Sequence, residues 1–329
     1  MPFTIAFLGD TLLGDLYADV LRTRGYAHAF WGIAQLLARA DLVVANLEGV
    51  LTDPAGTLPD THHRRRYWLR ADPQSAAAMA AAGIGVVSLA NNHVLDYGPA
   101  GLTETLGVLD EHGIQHCGAG QTDAEARQPA IATVNGVRVG FLSAVQSYEM
   151  YADWLYASDE TGGCNRLRHS AMQADLGQLA AHADVRIVLA HWGRTYRPVT
   201  PGQVRWSRQL VAAGADLVIG HHPHIAQPVT LVDGRPVLFS LGNGPFGTKG
   251  GFGRYGQPGH GLVALAEFTD TGRLSALQLH LIDVENSRTG CRPTPVRGEP
   301  ALSFLGSLVD PSHDWRPAGD ALRLDVPVR

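Results

Sequence analysis

Carboxylates, amides and imidazoles recur where short apolar runs end. Gly9-Asp10 follows the run 3–8, Asn46-Leu47-Glu48 follows 42–45, and Asn91-Asn92-His93 follows 84–89, with Asp96 close behind. His191-Trp192-Gly193 follows 185–190, Gly220-His221-His222-Pro223-His224 follows 216–219, and Asn243 follows 235–240. A single histidine at such a place is more often a packed core residue than a ligand. Several at successive strand ends point instead to a metal site, because α/β sheets bind ligands at the carboxyl ends of their strands. Carboxylate, imidazole and amide oxygen without thiolate suit Zn, Mn, Fe or Mg. More candidates than one ion needs point to two ions sharing a carboxylate, a geometry that activates water and clamps oxyanions. One or two divalent ions are therefore expected.

The elements that must position these groups are legible from the apolar pattern. Strands are predicted over 3–8, 42–45, 84–89, 114–117, 137–143, 185–190 and 216–219, and helices over 30–39, 73–82, 99–112, 169–183 and 202–213. Continuous apolar strands separated by helices indicate sheets buried on both faces. After residue 225 the pattern turns to strands at 228–232, 235–240, 261–268 and 274–283. Asn135-Gly136 and Asp233-Gly234 are hairpin signals. The fold expected is α/β with a strand-rich second half and two packed sheets. Residues 1–283 read as one domain and 284–329 as an irregular tail packed on it. Residues 242–261 form a glycine-rich stretch, long for a connection and typical of a lid or a binding loop.

Composition narrows the function. The 329 residues are 45% hydrophobic and 17% charged, with net charge −5. That excludes disorder and argues against a nucleic-acid binder, which carries a basic surplus. No apolar stretch is long enough for a membrane span, and the N-terminal apolar run is too short for a signal segment. A cytoplasmic protein with no membrane or nucleic-acid partner is expected. Cys117, Cys164 and Cys291 are scattered and suit neither disulfides nor a zinc knot. Lys249 is the single lysine among 26 basic residues. Pyridoxal phosphate is accordingly not expected, since only Lys249 could hold it.

The motifs GDTLLG, ANLEG, ANNHVLDYG, HWG, GADLVIGHHPH and SLGN, in that order, resemble the CapA-type (capsule and poly-γ-glutamate synthesis) branch of the calcineurin-like metallophosphatases. The likeness covers roughly residues 3–246. It implies a four-layer α/β/β/α metallophosphatase-like sandwich with a metal site at its edge. It also implies Asp10, Glu48, Asn92, His191, His222 and His224 as ligands, with Glu48 bridging and His93 as general acid. His221 is a neighbour rather than a ligand. Three positions depart from the family pattern: Leu12 where metallophosphatases carry a histidine, Thr195 where a glutamate is common, and Gly244 where an aromatic is usual.

Other groups suggest substrate contacts. The run His62-His63-Arg64-Arg65-Arg66 follows Glu48 in the chain; Arg65 and Arg66 could grip a carboxylate or phosphate, or be a solvated charge run. Arg70, Trp192, Tyr196 and His221 are further candidates. Asp96 could orient His93 or cap the helix that begins near Pro99. Two reactions fit one ligand set: phosphoester hydrolysis, and proton abstraction at a carbon next to a metal-held carbonyl. The chain also resembles the lasso-peptide epimerases, CapA-like proteins. That likeness implies a precursor-peptide substrate and inversion of the Cα of its C-terminal residue, tryptophan favoured. His93 with Asp10 or His222 would be the acid/base pair. This reading leads; phosphoester hydrolysis, a capsule or polyglutamate synthesis role, and a non-catalytic peptide-binding module are the alternatives.

Overall fold

Alternate residues of the first strand face different cores. In the computed structural model, which describes residues 1–53, 56 and 67–326, strand Phe3–Leu12 sends Phe3, Ile5 and Phe7 to one apolar cluster and Ala6 and Leu8 to another. Strand Val137–Val145 sends Val139 and Phe141 to the cluster that holds Phe7, but Leu142 and Ala144 to a third. Side chains alternate across a strand, so strands apolar on both faces must be covered twice. The shared cluster lies between two sheets. The other two lie under helices: Ser75–Ala81 and Gly98–Glu111 on one side, His169–Leu179 and Pro201–Ala212 on the other. The layers are α/β/β/α, as the family resemblance implies.

In the larger sheet, Phe3–Leu12, Leu42–Leu47, Ile84–Ser88 and Gln115–Cys117 run parallel. His260–Phe268 and Leu274–Asp283 add to it antiparallel. In the second sheet, Val137–Val145, Val185–His191, Leu217–His221 and Arg235–Leu238 run parallel. The strands that end on candidate ligands are the parallel ones, and their carboxyl ends meet at one edge of the sandwich. Both hairpins have positive φ at both central residues: +48° and +87° at Asn135-Gly136, +48° and +78° at Asp233-Gly234. That is the two-residue turn whose twist matches its strands.

Three expectations change. Helix 30–39 is only Ala34–Leu37, preceded by the 3-10 turn Tyr26–Phe30. Gly32 lies so close to the Pro293 carbonyl that a Cβ there would be 2.1 Å from its oxygen, and this contact fixes a turn where periodicity reads helix. Residues 284–329 are not irregular. Helix Glu299–Leu308 packs Ala301, Leu305 and Leu308 into the core between the sheets, and strand Ala321–Asp325 extends the larger sheet beside Leu274–Asp283. Nor is 242–261 wholly a loop. Asn243–Phe246 is a strand parallel to Phe3–Leu12, admitted because Gly9 has no side chain: a Cβ there would sit 1.9 Å from the Gly242 carbonyl oxygen. No helix among the described residues is long and apolar enough to cross a membrane.

Candidate metal centre

Strand ends deliver the polar groups, and the backbone then bends to aim them. Asp10 is on the first strand, Glu48 just past Leu42–Leu47, and His191 closes Val185–His191. His222 and His224 follow Leu217–His221 with φ of +95° and +59°. Non-glycine residues in that region are strained and are held only by their surroundings, a pattern that clusters at functional sites.

The side chains converge in two groups that share Glu48. Ligand atoms of Glu48, His191 and His222 lie within 4.8 Å of one another, and so do those of Asp10, Glu48 and His224. His191 Nε2 is 3.9 Å from Glu48 Oε1 and 2.8 Å from Asn92 Oδ1. His224 Nδ1 is 3.1 Å from Asp10 Oδ2, and its Nε2 is 3.8 Å from Glu48 Oε1. Asp10 and Glu48 are fully buried. Neither Glu48 oxygen accepts a hydrogen bond among the described residues. Burying an ionised carboxylate without such bonds is costly. A divalent cation removes the cost, and the donor set of carboxylate oxygens, imidazole nitrogens and an amide oxygen fits one.

Electrostatics point the same way. Burial pushes the Glu48 carboxyl well above its ordinary value, and neighbouring Asp10 adds to this. Burial also raises Asp10, but hydrogen bonds from His221 and His224 outweigh it and hold Asp10 well below the usual range. Burial drives His191 well down and takes His222 to about 3, so both are neutral imidazoles with a lone pair free for a metal. His224 is opposite: burial lowers it, yet Glu48 and Asp10 lift it to about 9. Positive charge is favoured between these two carboxylates.

A second set of residues orients the first. Asn46 Nδ2 donates to Asp10 Oδ1 at 2.8 Å, and Asn91 Nδ2 to the Leu47 carbonyl at 2.7 Å. Asn243 Oδ1 is 2.9 Å from His224 Nδ1. His93 stands apart: its Nε2 is 4.0 Å from Glu48 Oε1, its Nδ1 is 2.7 Å from Asp96 Oδ2, and its side chain keeps 17% exposure where Glu48 keeps none. Asp96 Oδ2 also accepts from Leu69 N at 2.6 Å. Of the two roles open to Asp96, the geometry selects orienting His93. The result is a solvent-reachable acid/base group beside a buried ligand cluster.

The substrate candidates separate. Tyr196 belongs here: its ring is 5.8 Å from that of His224, and its hydroxyl accepts from Gly251 N at 2.6 Å. Trp192 does not. It is fully buried in the outer core, with Nε1 donating to the Phe239 carbonyl, because it follows His191 in the strand direction and so faces the opposite side. His221 is buried behind Asp10, its Nδ1 3.5 Å from Asp10 Oδ1; it backs the carboxylate and meets no substrate surface. Arg70 lies over the Tyr97 ring at 5.5 Å. Arg65 and Arg66 fall outside the described residues. One site residue escapes the sequence argument: Tyr148, whose ring is 5.4 Å from His222 and whose hydroxyl donates to the Gly193 carbonyl. It follows strand Val137–Val145, which runs two residues beyond its predicted end. The strand-end logic finds Tyr148 once that end is right.

The family model described as bacterial capsule synthesis protein PGA_cap matches residues 4–247. The capsule biosynthesis protein CapA of Bacillus anthracis is 28% identical over 246 residues, covering 73% of this chain and 59% of that protein. A polyglutamine synthesis accessory protein of Mycobacterium tuberculosis is 33% identical over 227 residues, covering 65% and 58%. The chain thus matches less than two thirds of the length of these relatives. Among solved structures, a Staphylococcus aureus protein described as a 5'-nucleotidase superposes with a TM-score of 0.51 at 14% identity, over 93% of this chain and 58% of that one. That likeness is one of fold.

Proposed function

The chain belongs to the bacterial capsule synthesis protein family, and from that premise we propose that it is a metal-dependent enzyme with a capsule- or polyglutamate-type role, cleaving a phosphoester by acid/base-assisted hydrolysis. One observation carries the proposal: two ligand groups share Glu48 beside the accessible His93–Asp96 pair. Asp10, Glu48, Asn92, His191, His222 and His224 would hold one or two divalent ions. When bound, such ions supply Lewis acidity and charge for a developing oxyanion. The chain's own residues do the rest. Asp96 holds the His93 ring by Nδ1, leaving Nε2 toward the cluster to give a proton to the leaving oxygen. Asn46 and Asn243 fix Asp10 and His224. The setting proposed is cytoplasmic.

A second reading is favoured by one feature. The Tyr148 and Tyr196 rings flank His222 and His224, an apolar wall suited to an aromatic side chain. On this reading the enzyme inverts the Cα of a C-terminal residue, tryptophan favoured, of a ribosomal precursor peptide, and His93 exchanges the proton. Asp10 and His222 both belong to the ligand set, so neither is a free second base. One experiment separates the two. Metal-loaded protein is incubated in D2O with an aryl phosphate and with peptides ending in tryptophan. Phosphate release that His93→Ala abolishes supports hydrolysis. Deuterium at a Cα without phosphate release overturns it in favour of epimerisation.

A further inference from the structure

Strand Leu274–Asp283 sends Leu277 and Leu279 into the core between the sheets. Side chains alternate across a strand, so Gln278 and His280 face outward. There a cavity of about 490 Å3 opens, and none of the candidate metal ligands lines it. One wall is the segment that carries Trp31, Gly32 and Arg39; the other holds His280, Arg297 and Asp320. Gly32 joins the walls, packed against the Pro293 carbonyl. The family match ends at residue 247, so the second wall belongs to the part of the chain beyond it. Arg39 is aimed but not neutralised. A guanidinium only donates, so His280 Nε2 accepts from Arg39 Nη1 at 3.1 Å, and Gln278 Oε1 accepts from Nη2 at 2.7 Å. Both acceptors are neutral, since burial and then Arg39 push His280 down to about 4. Among the described residues no carboxylate pairs with Arg39. Trp31 is 59% exposed, while the other tryptophans are buried or half-buried. Its ring is braced edge-on at 5.4 Å by the buried His28. Asp320 keeps acceptor capacity: Oδ1 takes the Gly298 N–H at 2.8 Å, and Oδ2 is 3.9 Å from Arg297 Nη1, too long for a hydrogen bond.

We propose that this cavity is a second binding site, for a nucleoside monophosphate. Its volume is in the range that holds small ligands. A phosphate suits Arg39, whose planar fork can hold two phosphate oxygens at once, and Arg297 adds positive charge. A nucleobase suits Trp31, since every base has a flat face to stack on an aromatic ring. Asp320 is the acceptor that ribose hydroxyls need, the role an acidic residue plays in dinucleotide sites. An apolar ligand would cover Arg39 and Asp320 without giving them partners, at a cost. A bare anion would leave Trp31 and Asp320 unused. The proposal rests on this cavity and not on the metal chemistry, so either can fail alone.

The test is isothermal titration calorimetry of the full chain with adenosine monophosphate. A chelator is present throughout, so that neither turnover nor a metal-held phosphate contributes. Adenosine and inorganic phosphate are titrated in parallel. The monophosphate is expected to bind in the micromolar to millimolar range, and each half at least about tenfold more weakly, because one ligand links both contacts. Arg39→Ala and the exposed Trp31→Ala should each weaken binding at least about fivefold. Trp31→Phe, which keeps a ring, should recover most of that loss. Arg138→Ala, at a carboxylate-paired arginine of the second sheet, should change binding less than about twofold. The proposal is overturned if no saturable binding is seen up to millimolar monophosphate, or if either Arg39→Ala or Trp31→Ala acts no more strongly than Arg138→Ala. It is also overturned if adenosine or phosphate alone binds as tightly as the monophosphate.

Discussion

Among the described residues, two regions that bury histidines differ in what surrounds them, and one of the two gathers a ligand cluster. At the sheet edge, His222 is 8% exposed and pushed to about 3. On the outer face of the larger sheet, His280 is 9% exposed and pushed to about 4, by burial and then by Arg39. By burial and titration the two look alike. Their neighbours differ: His280 Nε2 lies 3.1 Å from an Arg39 nitrogen, whereas His222 converges with Glu48 and His191. Burial makes an imidazole neutral; other ligand groups converging on the same point make that neutral lone pair useful to a cation. His28 teaches the same lesson, being 2% exposed and lowered by burial with Arg24 and Arg292 around it.

The largest effect that could break this contrast is loss of the shared carboxylate. Glu48→Gln should abolish metal binding and with it activity, measured as metal per protein after dialysis, while His280→Gln leaves metal content unchanged. If Glu48→Gln retains its metal, the two regions do not differ in the way described. Next is the proton group: His93→Ala should lower turnover about 10²–10⁴-fold with metal retained. Asp96→Asn should cost less, about 10–100-fold, because it orients the ring rather than moving the proton. A normal rate in His93→Ala would remove the acid/base role.

Titration sharpens the contrast further. His224 is raised to about 9 from 6.5, so in metal-free protein its contribution to stability is full below about 6.5 and is lost as pH rises toward 9. His280 is lowered to about 4 from 6.5, so its contribution is present above about 6.5 and is lost as pH falls toward 4. Chemical denaturation across pH should therefore show His224→Gln flattening the alkaline limb and His280→Gln the acid limb. Metal binding at pH 7 should release at least one proton, seen by calorimetry in buffers of different ionisation heat, and affinity should rise with pH. The smallest expected effect is on stability. His280→Gln at pH 7 should shift unfolding by about 1 kcal/mol, the typical worth of one hydrogen bond.

Much of the centre was legible because strand ends are local features. An apolar run that stops at a carboxylate or imidazole announces both the strand and the group it delivers, and Asp10, Glu48, Asn92, His191, His222 and His224 all lie where that rule puts them. Trp192 fails for the same local reason. It neighbours His191 in sequence, but strand alternation turns it to the opposite face. Tyr148 was hidden by a boundary error of two residues. His221 was legible as a neighbour of the ligands, but not as a group that backs Asp10 instead of facing a substrate. The ordered strands after residue 284 have weak local patterns and form because the larger sheet offers an edge.

The sequence by itself determined which chemical groups are present, the alternation that buries both faces of each parallel strand, and the two hairpin turns, since all of these depend on residues near one another along the chain. The tertiary structure alone decided that Glu48 is shared by two ligand groups, that Asp96 serves His93, and that Tyr196 stacks on the distant Tyr255. Those are facts about distance across the packed sheets, and spacing along a chain does not encode how two sheets set their edges side by side.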